Sequence, residues 1–309
     1  MDAPGSSPQS PLPPGGQPLF AVIWGPRGLR AGWRLLIFFT ILFALFSGER
    51  AAIKAIRHGH TLTQLLTPLS VLREEAVSFF NILLATGVMA RIERRKISGY
   101  GLPWRQAFRA QFWQGAAISF ASITALLLAL RAANVFHFGA IALHGAALWR
   151  YAVLWGLAFL FVGFSEEFTF RGYALFTLSD GLGFWPAAIL LSALFGYVHH
   201  GNSDENVAGL ITAGAVGFLF CLLVRRTGNL WMPIGFHAAW DWGESYFYGV
   251  ADSGQLVQGH LFNASFSGPA WLTGGAAGPE GSWLCILLLV FLWLIFSRSL
   301  RGAKYPPCA

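Results

Sequence analysis

Charge is what this sequence has least of. Asp, Glu, Lys and Arg together make up 11% of its 309 residues, while 55% are hydrophobic; a soluble domain carries about 25% charge. So little charge excludes a soluble enzyme, whose surface would aggregate, and implies an all-α bundle of membrane-crossing helices. Cysteine is rarer still. Cys221, Cys285 and Cys308 have no paired spacing and two lie in apolar runs, so a disulfide scaffold and a zinc ribbon are excluded and the thiols read as packing groups. The first twenty residues contain no Lys or Arg but six prolines. Lacking a basic start and an early apolar core, residues 1–30 read as a disordered tail and not as a signal peptide. Also missing are HExxH, GxSxG and any Ser/His arrangement on adjacent apolar runs, since His199-His200 is followed by Gly201 and Asn202. Those absences set aside the zincin and serine-nucleophile designs.

What charge there is has a pattern. The net charge of +7 comes from Lys and Arg clustered between apolar runs, which is how a chain fixes its orientation in a bilayer; no nucleic-acid partner is implied. Eight spans are expected: 31–47, 71–90, 112–130, 149–178, 185–199, 207–224, 230–248 and 283–296. Between the second and third, RIERRKISGYGLPWRQAFR reads as a cytoplasmic loop with an interfacial helix anchored by Trp104 and Phe108. Arg225-Arg226 and the basic tail, 301–309, fall on the same side, whereas 132–148 and 249–281 carry neither Lys nor Arg. Both termini are thus expected in the cytoplasm, around a catalytic or transport unit spanning 31–300. Glu74-Glu75 falls in the expected first turn of the second span, where the helix dipole favours acids. His58-Gly59-His60 lies on a hydrophilic loop without a nearby carboxylate and reads as solvated. Asn263-Ala264-Ser265 matches a glycosylation sequon, a common chance match.

The fourth span breaks the apolar rule. FVGFSEEFTFRGYALFTL, 161–178, holds Glu166, Glu167 and Arg171, and three charges in hydrocarbon would cost roughly 8 kcal/mol without partners. Glu167 and Arg171 are one helical turn apart with the acid first, the favoured ion-pair order. Glu166 lies about 100° further round and points elsewhere. Phe195 and His199 share a face of the fifth span, and His237 and Asp241 a face of the seventh. One histidine in an apolar helix is more often a packed core residue, but ionisable groups from three spans usually meet at a wet cavity. Such a set suits amide hydrolysis, with Glu166 and His199 activating water and His237, held by Asp241, stabilising the oxyanion. Glu166, His199 and His237 are equally the ligand types of a hydrolytic zinc site, and spacing does not choose between the versions. An ion-coupled transporter needs similar residues for a proton relay, although no inverted repeat relates the two halves; a non-catalytic membrane scaffold is the third class. His199 falls near the outer end of its span and His237 about eight residues from the inner end of its own, so a tilt or a broken helix is needed to bring them level.

EEFTFR at Glu166–Arg171, FGYVH at Phe195–His199 and HAAWD at His237–Asp241 together resemble the three motifs of the CPBP intramembrane proteases, the family of the CAAX prenyl proteases and the bacterial Abi proteins. RIERRKISGYGL and LTGGAAGPEGS resemble bacterial members, extending the likeness over roughly residues 30–300. The resemblance implies a multi-pass protein of the bacterial inner membrane that acts on a membrane-associated, CAAX-type protein or peptide. It also implies Glu166 with His199 as the water-activating pair, His237 with Asp241 on the oxyanion side, and Glu167, Arg171 and Phe195 in support.

Overall fold

Our computed structural model describes residues 22–25, 28–56 and 66–305. The proline-rich stretch to residue 21, His58, His60 and Cys308 lie outside the described residues. Each of the eight expected stretches is helical. They form α1 (Ala31–Ile56), α2 (Pro68–Ile92), α3 (Ala110–Ala132), α4 (Gly145–Glu167), α5 (Leu175–Leu182), α6 (Phe184–Val198), α7 (Val207–Thr227), α8 (Trp231–Asp241) and α9 (Trp283–Ser299), with α4 and α5 sharing one expected stretch. Among the described residues, five helical stretches are long and apolar enough to cross a membrane, namely α1, α2, α3, α7 and the continuous Gly145–Leu182; α9 is apolar but shorter. Among the described residues, strand structure is limited to two-residue pairings, Trp24–Gly25 with Gly28–Leu29 and Phe136–His137 with Ser265–Phe266, the second tying the α3–α4 connection to the long loop before α9.

Local chemistry sets the helix ends. Thr67 caps α2 by accepting the Ser70 N–H, with Pro68 in the first turn, where its missing donor costs nothing. Asn206 accepts the Gly209 N–H to cap α7, which ends at Gly228 with φ +80°, a left-handed position that favours glycine. The early start of α2 corrects one expectation. Glu74 and Glu75 lie beyond its first turn, so the helix dipole does not account for them. A second correction concerns residues 97–109. The expected interfacial helix is replaced by two short 3₁₀ turns, Ile97–Tyr100 and Trp104–Gln106, because Gly99, Gly101 at φ +93° and Pro103 interrupt any longer helix. Likewise α1 runs on through Arg50 and Lys54 to Ile56, further than its apolar stretch.

Two helices that hold the chemistry are broken directly after it. Following Glu167, residues Phe168–Ala174 form a wide π-type turn in which Gly172 departs from helical geometry (φ −84°, ψ −112°). Following Asp241, Trp242–Tyr248 forms a second. Such turns free or re-aim backbone and side chains and recur at functional sites.

Lipid tails are as apolar as leucine, so the helices associate through close packing of small residues. A Cβ on Gly235 would lie 2.1 Å from the Phe112 carbonyl oxygen, and one on Gly115 would lie 2.2 Å from that of Met232, so α3 and α8 touch backbone to backbone. Gly196 places α6 against α7 similarly, 2.6 Å from the Leu210 oxygen. At the end of the bundle near the basic loop, Glu93 accepts hydrogen bonds from Tyr173 (2.5 Å), Tyr100 (3.0 Å) and Arg34 (2.7 Å). That carboxylate joins α1, α2 and the turn after α4. Gly235→Ala drives a methyl into helix backbone, so it is expected to destabilise the protein by about 1–3 kcal/mol. Gly32→Ala, where nothing lies within 4 Å of the new methyl, should lose nothing. Thermal unfolding of the two variants in detergent checks the contrast; equal melting temperatures would refute the backbone contact.

Candidate active site

The carboxylate of Glu167 is fully buried at the end of α4. Its Oε1 accepts from Arg171 Nη1 at 3.1 Å and faces His237 Nδ1 at 2.9 Å. A carboxylate only accepts, so the Nδ1–H of His237 is the donor, and Nε2 is turned the other way. There it meets Asp241 Oδ2 at 3.6 Å and Glu166 Oε2 at 3.7 Å. Sequence spacing assigned the holding of the imidazole to Asp241. The closer partner is Glu167, seventy residues away in sequence, which no spacing along one helix reveals. Arg171 is also fully buried. Its guanidinium carbon sits 4.0 Å from the centroid of the Phe195 ring, a cation–π contact in a site without water to compete. Gly217 on α7 makes the space, because a Cβ there would fall 2.2 Å from Arg171 Nη2.

On the open side of this buried group is a cavity of about 340 Å³, lined by Glu166, His199, His237 and Asp241 together with apolar side chains of α4, α6, α7 and α8. Glu167 and Arg171 do not line it; they stand behind its wall. Glu166 is one-third exposed where Glu167 is not exposed at all. The two adjacent acids therefore have different surroundings, one facing space and the other held through a single oxygen by Arg171 and His237. His199 belongs to the 3₁₀ turn His199–Gly201 that ends α6, and its Nδ1 lies 2.7 Å from the Phe195 carbonyl. A carbonyl cannot donate, so Nδ1 carries the proton and Nε2 is left with a lone pair. Folding the ring back along its own helix is what lets His199 line the same cavity as His237 despite their different places along the spans.

Residues not singled out from the sequence also line the cavity. Glu75 of α2 accepts a short hydrogen bond from Ser165, the residue before Glu166, and so belongs to the site and not to a helix terminus. Thr212 of α7 lines the cavity with a buried hydroxyl that has no protein partner. The loop after α8 adds Asp252, Ser253 and Glu280. Burial, and then Glu280 nearby, pushes the Asp252 carboxyl up to about 8. Burial also raises Glu205, in the loop before α7. The signal for Glu75 was its position in the second turn of α2, visible once Thr67 and Ser70 are read as a cap.

The expected zinc ligands do not converge. Among the described residues, the carboxylate and imidazole groups that bring one ligand atom each to within 4.8 Å of one another are Glu244, Asp252 and Glu280, not Glu166, His199 and His237. Cys221 and Cys285 are buried and free.

The different surroundings of the adjacent acids give a direct test. Glu167→Gln leaves Arg171 charged in a dry interior, and breaking a buried pair costs about 3–5 kcal/mol. Its folded yield and melting temperature are expected to fall sharply, whereas Glu166→Gln, whose side chain faces the cavity, should purify and melt like the wild type. Indistinguishable melting of the two would remove the distinction.

Residues 148–243, just under a third of the chain, match the family model described as type II CAAX prenyl endopeptidase, Rce1-like. None of the curated proteins matches the chain. The matched segment gives the transporter reading no support and contains all three motifs, with Glu166, Glu167 and Arg171 in the first, Phe195 and His199 in the second, and His237 and Asp241 in the third. The segment that builds the cavity is thus the one that resembles the CPBP, or CAAX-protease, family of intramembrane endopeptidases.

Proposed function

We propose that the chain hydrolyses a peptide bond of a membrane-associated, CAAX-type polypeptide with a water activated by Glu166 and His199. The observation that carries this reading is the single cavity shared by Glu166, His199, His237 and Asp241. Water placed between the Glu166 carboxylate and the bare Nε2 of His199 loses its proton to one of them as it attacks the scissile carbonyl. With Nδ1–H committed to Glu167, His237 stabilises the developing oxyanion only through Nε2–H. It then acts as an imidazolium whose charge Glu167 and Asp241 balance. The proton taken from water is returned to the leaving amine. Phe195 serves twice, orienting His199 through its carbonyl and covering Arg171 with its ring. No step is routed through zinc, because the donor atoms that would hold it do not converge.

On this reading Glu166→Gln abolishes cleavage of a membrane-anchored reporter peptide, and His237→Ala slows it by about 10²–10³-fold, the loss typical of one oxyanion donor. Activity should survive a zinc-selective chelator. One zinc per active chain, lost together with activity, would overturn the metal-free mechanism; full cleavage by Glu166→Gln would overturn the assignment of the base.

We also place the long loop before α9 outside the bacterial inner membrane and both termini in the cytoplasm, following the asymmetry of Lys and Arg. In a chain with its three cysteines replaced, Leu256→Cys should react with an impermeant thiol reagent added to intact cells, and Lys96→Cys and Arg301→Cys only with a permeant one. Labelling of Leu256→Cys and Lys96→Cys from the same side would exclude this topology.

A further inference from the structure

The end of α8 and the loop that follows bring together acids for which the peptidase chemistry has no use. Glu244 stands in the π-type turn after Asp241, Asp252 in the loop, and Glu280 in the 3₁₀ turn Pro279–Gly281 that precedes α9. One oxygen of each lies within 4.8 Å of the others. Glu244 is the telling member, because its side chain is fully buried and neither carboxylate oxygen has a hydrogen-bond partner. The indole N–H of Trp240, one turn back, faces it but makes no hydrogen bond of ordinary geometry. Asp252 and Glu280 are each held by a serine hydroxyl, Ser245 Oγ donating to Asp252 Oδ2 at 3.1 Å and Ser253 Oγ to Glu280 Oε2 at 2.9 Å. Among the described residues no Lys or Arg forms an ion pair with any of the three, and residues 249–281 contain no Lys or Arg to supply one.

Converging carboxylates without a cation of the protein's own repel one another, and a buried carboxylate with no partner is strongly disfavoured. A bound cation removes both penalties at once. We propose that Glu244, Asp252 and Glu280 form a calcium site at the loop side of the cavity, built from residues other than Glu166, His199, His237 and Asp241, that pins the loop before α9 onto the end of α8. The donors are all oxygen, which selects a hard cation over zinc or copper. Three converging carboxylates favour Ca²⁺ over Mg²⁺, because Ca²⁺ takes about six to eight oxygen ligands in flexible geometry whereas Mg²⁺ keeps most of its water and seldom takes three carboxylates. The loop is already positioned by protein contacts, with Gly254 N–H donating to the Ala277 carbonyl and Asn206 Nδ2 to that of Gly274. The ion therefore meets a site assembled in advance.

The test needs no peptidase assay, so its outcome is independent of the proposed reaction. The full chain, purified in detergent and stripped with EGTA, is titrated with ⁴⁵Ca²⁺ by equilibrium dialysis and melted in CaCl₂ or MgCl₂. One Ca²⁺ per chain is expected, with a melting temperature several degrees higher in Ca²⁺ and at least tenfold weaker binding of Mg²⁺. Glu280→Gln and Asp252→Asn should each weaken Ca²⁺ binding at least tenfold without lowering the Ca²⁺-free melting temperature, whereas Asp204→Asn, an exposed acid in the preceding loop, should change nothing. Wild-type protein that binds no Ca²⁺ at millimolar concentration and melts identically with and without it would overturn the proposal. So would unchanged affinity in both Glu280→Gln and Asp252→Asn. The wild-type stoichiometry rests on no variant, so a substitution that folds poorly leaves the test intact.

Discussion

A single oxygen of Glu167 accepts from both the guanidinium of Arg171 and the imidazole of His237, and the geometry of the cavity depends on that sharing. In hydrocarbon none of the three groups is tolerable alone. Together they make a unit, with Glu167 and Arg171 fully buried, that joins α4 to α8 and turns His237 Nε2 toward the open space. Glu166, adjacent in sequence, is thereby left to face the cavity. The identity of the neighbouring side chains follows from the same unit. Phe195 covers the guanidinium, and Gly217 is glycine because any Cβ would occupy the place of Arg171 Nη2.

The turns after Glu167 and Asp241 show the same constraint acting on the backbone. A regular helix would carry its side chains round by about 100° per residue regardless of what they meet. The wider turns at Phe168–Ala174 and Trp242–Tyr248 interrupt that rotation immediately after Glu167 and Asp241. The second of them places Glu244 against the loop before α9. Close backbone contact at Gly115, Gly235 and Gly196 keeps the surrounding helices near enough for short side chains to line one space.

The parts of this arrangement legible in the sequence are those written at short range. Apolar runs gave the helices, and the i, i+4 order of Glu167 and Arg171 gave their ion pair, because both depend on residues a few positions apart. The contact between Glu167 and His237, the role of Glu75 beside Ser165 and the convergence of Glu244, Asp252 and Glu280 span 70, 90 and 36 positions in turn, and single-chain periodicity carries no such information. The short 3₁₀ turns at 97–106 were hidden differently. Amphipathic aromatic and basic residues suggested a helix there, while Gly99, Gly101 and Pro103 decided against it.

The difference in range between the two partners of Glu167 has a consequence for biogenesis. Arg171 is one turn away and available as soon as that helix forms, whereas His237 is seventy residues downstream. A ribosome delivers the acid and its guanidinium to the translocation machinery together, already able to cancel each other's charge, and delivers the imidazole much later. The fourth helix can therefore partition into lipid as a self-neutralised segment before the rest of the site has been synthesised. Arrival of α8 then recruits the oxygen that Arg171 already holds, so assembly of the cavity is ordered by the reading direction of the message.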